Sequence, residues 1–440
     1  MNWAVGVLGG TPSRRAVQCR AEGFCLPAIL IPAVLFLVLT VLPTGLTTGA
    51  HAADTTDDAD FIPLRGEVCE LGSETRLFPE QLIARRGDFV CPPERWASTG
   101  RHLYFRVRDP GLLRPGSGRW HILSEFVRAE KATVSAIYND GHIESQTVTG
   151  GALRGRWAAG NYLDFPLPDR SAGFAHIFIG YENVAVQSGM IRKINAAREE
   201  RFLSDQRMLF LLYGLLSGIL FAVCVYNLAL YAYIGMRFQL YYCLTALAFL
   251  AHGSSWSGII VYFIPDYSMA SLVRTAFVSS GAGVCASTFF FIHFLEDGML
   301  PPWIVRSLKV MALAVLSLTS FAAFAPAGLT ILGDRLSSAS VLVLMAFVLT
   351  AFVIAWRGGS RAVWFAAAAW ILPIIGGILR ASRGSGLLPQ TDIIDTSLFV
   401  GLALEALLLS IGISDRLNVL RREETAGRSN GGGPYRRRGG

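Results

Sequence analysis

Residues 211–244, "LLYGLLSGILFAVCVYNLALYAYIGMRFQLYYCL", hold a single charged side chain, Arg237, between two long apolar arms. About 20 apolar residues in a helix cross the ~30 Å of a bilayer's hydrocarbon. The first arm, extended back to Met208, reaches that length within 208–233, and the second resumes at 239 and runs to 264. Further apolar stretches follow at 270–294, 303–325, 336–356, 361–382 and 392–414, set apart by "PDYSMA", "EDGMLPP", "APAGLTILGDR", "RGGSR" and "SRGSGLLPQTD". The expected architecture of residues 208–416 is therefore a seven-helix transmembrane bundle.

Composition agrees. With 52% hydrophobic and 16% charged residues, the 440-residue chain is too apolar for an ordinary soluble protein. Its formal net charge of +7 is scattered over the extramembrane segment, the loop ends and the tail, so positive-inside placement explains it and nucleic acid is not indicated. Arg237, Arg306, Lys309, Arg357 and Arg361 fall in the expected inner breaks, and Arg274, Arg335, Arg380 and Arg383 at outer ones. That asymmetry favours a C-terminus in the cytoplasm.

The N-terminus carries Arg14, Arg15 and Arg20, then "LPAILIPAVLFLVLTVL", then Ala50-His51-Ala52, the order of charged, apolar and small residues in a secretory signal peptide. Residues 1–52 are expected to be that signal, with an uncleaved signal anchor as the other option. Either way the following segment is exported.

In that segment Leu103, Phe105 and Val107 alternate in "HLYFRVRD", and "ATVSAIYNDGHIESQTV" is two alternating runs around Asp140-Gly141, a pair suited to a tight hairpin. "GRWHILSEFV", "NYLDFPLP" and "AHIFIGYENV" are further strand candidates. Residues 53–189 are thus expected to form an all-β, jelly-roll-like sandwich. Residues 190–207, "MIRKINAAREERFLSDQR", look like a charged helical linker into the first span. Cys69 and Cys91 are the one cysteine pair of the exported segment, where an oxidising compartment favours a disulfide; Cys224, Cys243 and Cys285 lie in apolar spans. His102, His121, His142 and His176 have no metal-ligand spacing, and no metal or other cofactor is expected.

An exported β-rich domain, the 211–244 stretch and "GLALEALLLSIGISDRLNVLRRE" together resemble the bacterial seven-transmembrane receptors with diverse intracellular signalling modules. Gly214, Gly218, Tyr226-Asn227, the Tyr231 to Tyr242 turn, Glu405, Ser410, Asp415 and Arg416 carry the likeness. The resemblance implies an inner-membrane receptor with a periplasmic sensor, similar to that family's second type of extracellular domain, that binds carbohydrate or another small ligand. It also implies a cytoplasmic output, commonly a cyclase, kinase or phosphatase domain. Residues 417–440 form a short tail, and the sixteen residues after Glu424 are too few for such a fold, so no enzymatic activity is expected and a separate cytoplasmic signalling protein, or a shortened receptor, is implied.

Trp96, Trp120, Tyr138, Trp157 and Tyr162 are the aromatics that could stack on a sugar or instead form core, and Tyr138 flanks the hairpin tip. Within the spans, Asn227, His252, Arg380 and Glu405 are the candidate polar coupling residues, because polar groups at that depth are costly and face the bundle interior. His252 suits either a switch between spans or a neutral ring bonded to a nearby hydroxyl or carbonyl; Glu405 could pair with His252 or Arg380. The small-residue run "SSGAGVCAS" suits close helix packing. Ile413, Leu417 and Leu420 recur at helical spacing and suit a homodimer seam. The alternative function is a transporter or channel with His252 and Glu405 lining its pathway. No G-x-S-x-G, H-E-x-x-H or phosphate-binding glycine loop supports catalysis.

Overall fold

Apolar residues alternating along short runs build an antiparallel β-sandwich, and long apolar runs after it build a helical bundle. The computed structural model describes residues 60–91, 101–116, 118–149, 153–184, 194–264, 267–296, 298–360, 362–384 and 400–409. The expected signal peptide, Trp96, the ends of the seventh span with Ser410, Asp415 and Arg416, the Ile413, Leu417 and Leu420 seam, and the tail lie outside the described residues, as does the side chain of Arg380.

Among the described residues, ten strands form two five-stranded sheets. The first contains β1 (Phe61–Pro63), β10 (Ile194–Arg198), β4 (Trp120–Glu125), β8 (Tyr162–Leu167) and β7 (Trp157–Ala158), in that order. The second runs β2 (Val68–Ser73), β3 (His102–Val107), β9 (Phe174–Glu182), β5 (Lys131–Tyr138) and β6 (Ile143–Thr149). The core lies between them: Leu103, Phe105 and Val107 of β3 and Ile177 and Ile179 of β9 belong to one apolar cluster with Ile122 of β4 and Phe165 of β8. Period-two patterning is what sends these side chains to one face.

Two local features follow from residue chemistry. The β5–β6 hairpin closes with a three-residue loop in which Gly141 N–H donates to the Tyr138 carbonyl at 3.0 Å and Tyr138 N–H to the His142 carbonyl at 2.9 Å. Gly141 has φ +83°, the conformation this loop needs after its first turn. Cys69 of β2 is joined to Cys91, twenty-two residues on, with Cα atoms 4.5 Å apart. Closing a loop of that size restricts the unfolded chain by about 3 kcal/mol. The double variant Cys69→Ala/Cys91→Ala is expected to lose stability of that order and to unfold at the same temperature with or without dithiothreitol, whereas the parent protein should shift.

The expected helical linker 190–207 is corrected in its first half. Ile194–Arg198 is β10, hydrogen-bonded between β1 and β4 and burying Ile194 and Ala196 in the sandwich core, so the sandwich extends past 189. The helix begins at Glu199.

Among the described residues the chain continues through the helices α1 (Glu199–Ile234), α2 (Arg237–Ser257), α3 (Met269–Phe294), α4 (Pro302–Phe324), α5 (Thr330–Arg357), α6 (Ala362–Gly384) and α7 (Val400–Leu409). Among the described residues, α1, α3, α4, α5 and α6 are the five long and apolar enough to cross a membrane. Neighbours in sequence pack against one another from α1 to α6. Gly281 lets α3 and α4 close: a Cβ there would stand 1.9 Å from Thr319 Oγ1. Pro373 lies inside α6. The expected second span, 239–264, is interrupted: α2 stops at Ser257, Gly258 takes φ +77°, and Ile260–Phe263 is a separate short helix.

Candidate functional site

The aromatics expected to meet a ligand are core residues. Trp120, Tyr138, Trp157 and Tyr162 are each no more than 7% exposed, so their ring faces are covered by protein. Trp120 Nε1 donates to the Arg114 carbonyl at 3.1 Å and lies under the Arg198 guanidinium. Tyr138 donates to the Pro168 carbonyl at 3.0 Å, and burial, with the nearby Glu144 carboxylate, pushes its phenol up to about 12. Tyr162 packs with Leu123 and with Phe202 of α1. Filling a sandwich of this size takes most of its large rings, which is why the stacking role assigned to these four does not match their positions.

Trp157 has a different task. It occupies β7, the edge strand, and its Nε1 donates at 3.1 Å to the carbonyl of Ser257, the last residue of α2. That carbonyl is one of the orphans at a helix C-terminus, and the indole satisfies it. The ring rests on Gly258, where a Cβ would fall 1.6 Å from Nε1. Phe126 packs on its other side, ring centroids 5.1 Å apart. Val261, Met269, Leu272 and Val273, from beyond α2, share the apolar cluster to which Trp157 belongs.

Two more contacts tie the sandwich to the helices. Arg128 donates from both terminal nitrogens, each at 3.0 Å, to the carbonyls of Ala322 and Ala323 at the end of α4. Burial pulls its guanidinium below the ordinary value, and the Asp334 carboxylate of α5 opposes that pull. Gln206 of α1 accepts from Ala159 N–H at 2.6 Å, and Ala159 packs with Tyr213 of α1 and with Leu402 and Ala403 of α7. The short segment 157–159 is thus bonded to α1 and α2 and shares an apolar cluster with α7. Gly258, Arg128 and Gln206 escape sequence reasoning, because a glycine after a helix and a charged loop residue look alike whether or not a distant indole or carbonyl meets them.

Of the membrane polar residues, Asn227, His252 and Glu405 are buried, each beside a partner of its own. His252 Nδ1 lies 2.9 Å from the Ala276 carbonyl, linking α2 to α3. Asn227 donates to the Val223 carbonyl one turn back in α1 at 2.9 Å. Glu405 sits beside the Trp370 indole of α6, and its neighbour Ala406 accepts from Tyr242 of α2 at 2.9 Å. Gln239, wholly buried on α2, was not singled out from sequence.

On the sandwich's other sheet, burial first and then the fields of Arg106 and Arg86 hold His176 below its ordinary value. The folded chain therefore binds this proton less readily than the unfolded chain. The stability tied to neutral His176 is complete above about pH 6.5 and is lost as pH falls below that through the folded value. His176→Gln is expected to flatten the acid side of the stability profile in that window, read as thermal unfolding from about pH 7.5 to about pH 5. Among the described residues no cluster of three or more His, Cys, Asp and Glu could hold a metal.

Residues 209–416 match the family model described as 7TM diverse intracellular signalling. No curated protein matches the chain.

Proposed function

Residues 209–416 belong to the 7TM diverse intracellular signalling family, and on that premise we propose that this membrane signalling receptor reads a small ligand with its β-sandwich and passes the event to its helices through Trp157 and Arg128. The supporting observation is the junction itself: a side chain of the sandwich satisfies the carbonyl end of α2, and another satisfies that of α4. A change in the sandwich that moves either donor leaves main-chain acceptors unpaired. The two packings then differ in energy, and a ligand that favours one shifts the population.

In this proposal the chain crosses an inner membrane seven times, with the sandwich in the periplasm and the C-terminus in the cytoplasm. Arg237, Arg306, Lys309 and Arg357 on the inner side support that orientation. The ligand is a carbohydrate or a metabolite of similar size, and a cytoplasmic signalling protein receives the output. Asn227, His252, Arg380 and Glu405 are the proposed polar groups along the relay. The protein itself is proposed to catalyse no reaction and to need no cofactor.

The test is hydrogen exchange on the full chain in nanodiscs, with a panel of mono- and disaccharides and organic acids. A compound that raises the unfolding temperature is expected to change protection at 257–262 and 320–324 as well. Trp157→Phe should keep the binding and lose the change at 257–262. Solute transport by the reconstituted chain, with binding that leaves the junction's exchange untouched, would overturn the proposal in favour of a transporter.

A further inference from the structure

We propose that the groove between α2, α3 and α4 is a binding site for an acidic phospholipid, with an acyl chain along its floor and the phosphate at Arg274. The groove measures about 840 Å³. Its floor is Ser279, Ala282, Cys285 and Ala286 of α3, whose small side chains leave the depth, and its walls are Leu247 of α2 and Leu316 of α4. Arg274 and Phe324 stand at the sandwich end, Tyr241 and Phe289 at the other.

Length and charge select the occupant. Arg274 and Phe289 are fifteen residues apart on one helix, about 22 Å at helical rise. One leaflet of a ~30 Å hydrocarbon layer is about 15 Å deep, so a whole acyl chain fits end to end. At the mouth, the Arg274 guanidinium lies 5.2 Å over the Phe324 ring, and no Asp or Glu is among the residues that line the groove with it. The adjacent cation, Arg128, is already bound to the Ala322 and Ala323 carbonyls, and it is Arg128 that feels the Asp334 carboxylate. Among the described residues no anion answers the charge of Arg274, which leaves it open to one arriving from outside the chain. At the level of a membrane headgroup that anion is a lipid phosphate with no compensating choline or ethanolamine.

The site lies against the junction, since Phe324 follows Ala322 and Ala323 directly in α4. A lipid held there would stiffen the helix end that Arg128 caps.

The test is lipid retention by the full chain in neutral detergent, titrated with phosphatidylglycerol or phosphatidylcholine of the same acyl chains and read by native mass spectrometry. Phosphatidylglycerol is expected to bind about fivefold more tightly, as one interfacial arginine would give. Arg274→Gln should bring the two lipids level. Arg335→Gln, which changes an exposed arginine of α5 outside the groove, should keep the preference. Ala282→Phe, which fills the floor, should weaken both lipids. Equal retention of the two lipids by the parent protein, or an unchanged preference in Arg274→Gln, would overturn the proposal; so would an equal loss in Arg335→Gln.

Discussion

Gly258→Ala is expected to cost more than any other single added methyl at the junction. Gly258 has φ +77°, and an alanine in the left-handed region loses about 1–2 kcal/mol. Its Cβ would also stand 1.6 Å from Trp157 Nε1 and 2.1 Å from Cδ1, so the indole must move. The ring has little room, with Phe126 on one side and the Ser257 carbonyl on its N–H. Overpacking of that kind adds about 1–3 kcal/mol, for a total of about 2–5. The decisive measurement is a double-mutant cycle with Trp157→Ala on the purified full chain. Once the indole is gone, Gly258→Ala should cost only its backbone part, about 1–2 kcal/mol. Equal losses in both backgrounds would mean that the indole and the glycine do not meet.

His121→Leu should come next in size. His121 of β4 and Asp164 of β8 share a 2.7 Å hydrogen bond in a buried site, and the imidazole stacks on Phe202 of α1 at 4.3 Å. Leucine fills the space and leaves a buried carboxylate without that partner, a loss of about 3 kcal/mol or more. Replacing both residues, His121→Leu/Asp164→Leu, removes the stranded charge and should recover most of the loss. Urea unfolding at a fixed pH reads both variants. A single substitution costing under about 1 kcal/mol would show that the pair is not needed to seat α1 on the sandwich.

The membrane region was legible because span length is a coarse signal: Arg237 interrupts an apolar run that is otherwise long enough twice over. The strands β3, β5 and β6 were legible by alternation, and their hairpin by Asp140-Gly141. β1, β7 and β10 were not. The first two are too short to alternate, and β10 sits in a charged run whose helical look continues correctly from Glu199 but fails at Ile194–Arg198, where pairing with β1 and β4 outweighs local preference. The candidate site was least legible. Trp157 has the composition of a sugar platform and the position of a helix cap, and only the approach of Ser257 and Gly258 from another part of the chain separates the two. Glu405 was recognisable as a buried carboxylate, but its neighbour Trp370 lies on a different helix and looks like any other apolar residue.

α2 is the long helix that does not reach the apolarity of the other five. Its polar residues Gln239, Thr245, His252, Ser255 and Ser257 are all buried against other parts of the protein. A segment of this kind gains little from lipid and much from its neighbours. During synthesis α2 would therefore leave the translocon poorly by itself, stabilised by the earlier α1 and, at His252, by the Ala276 carbonyl once α3 has been made. Its insertion becomes a step in folding, with α1 to α3 entering the bilayer as one unit.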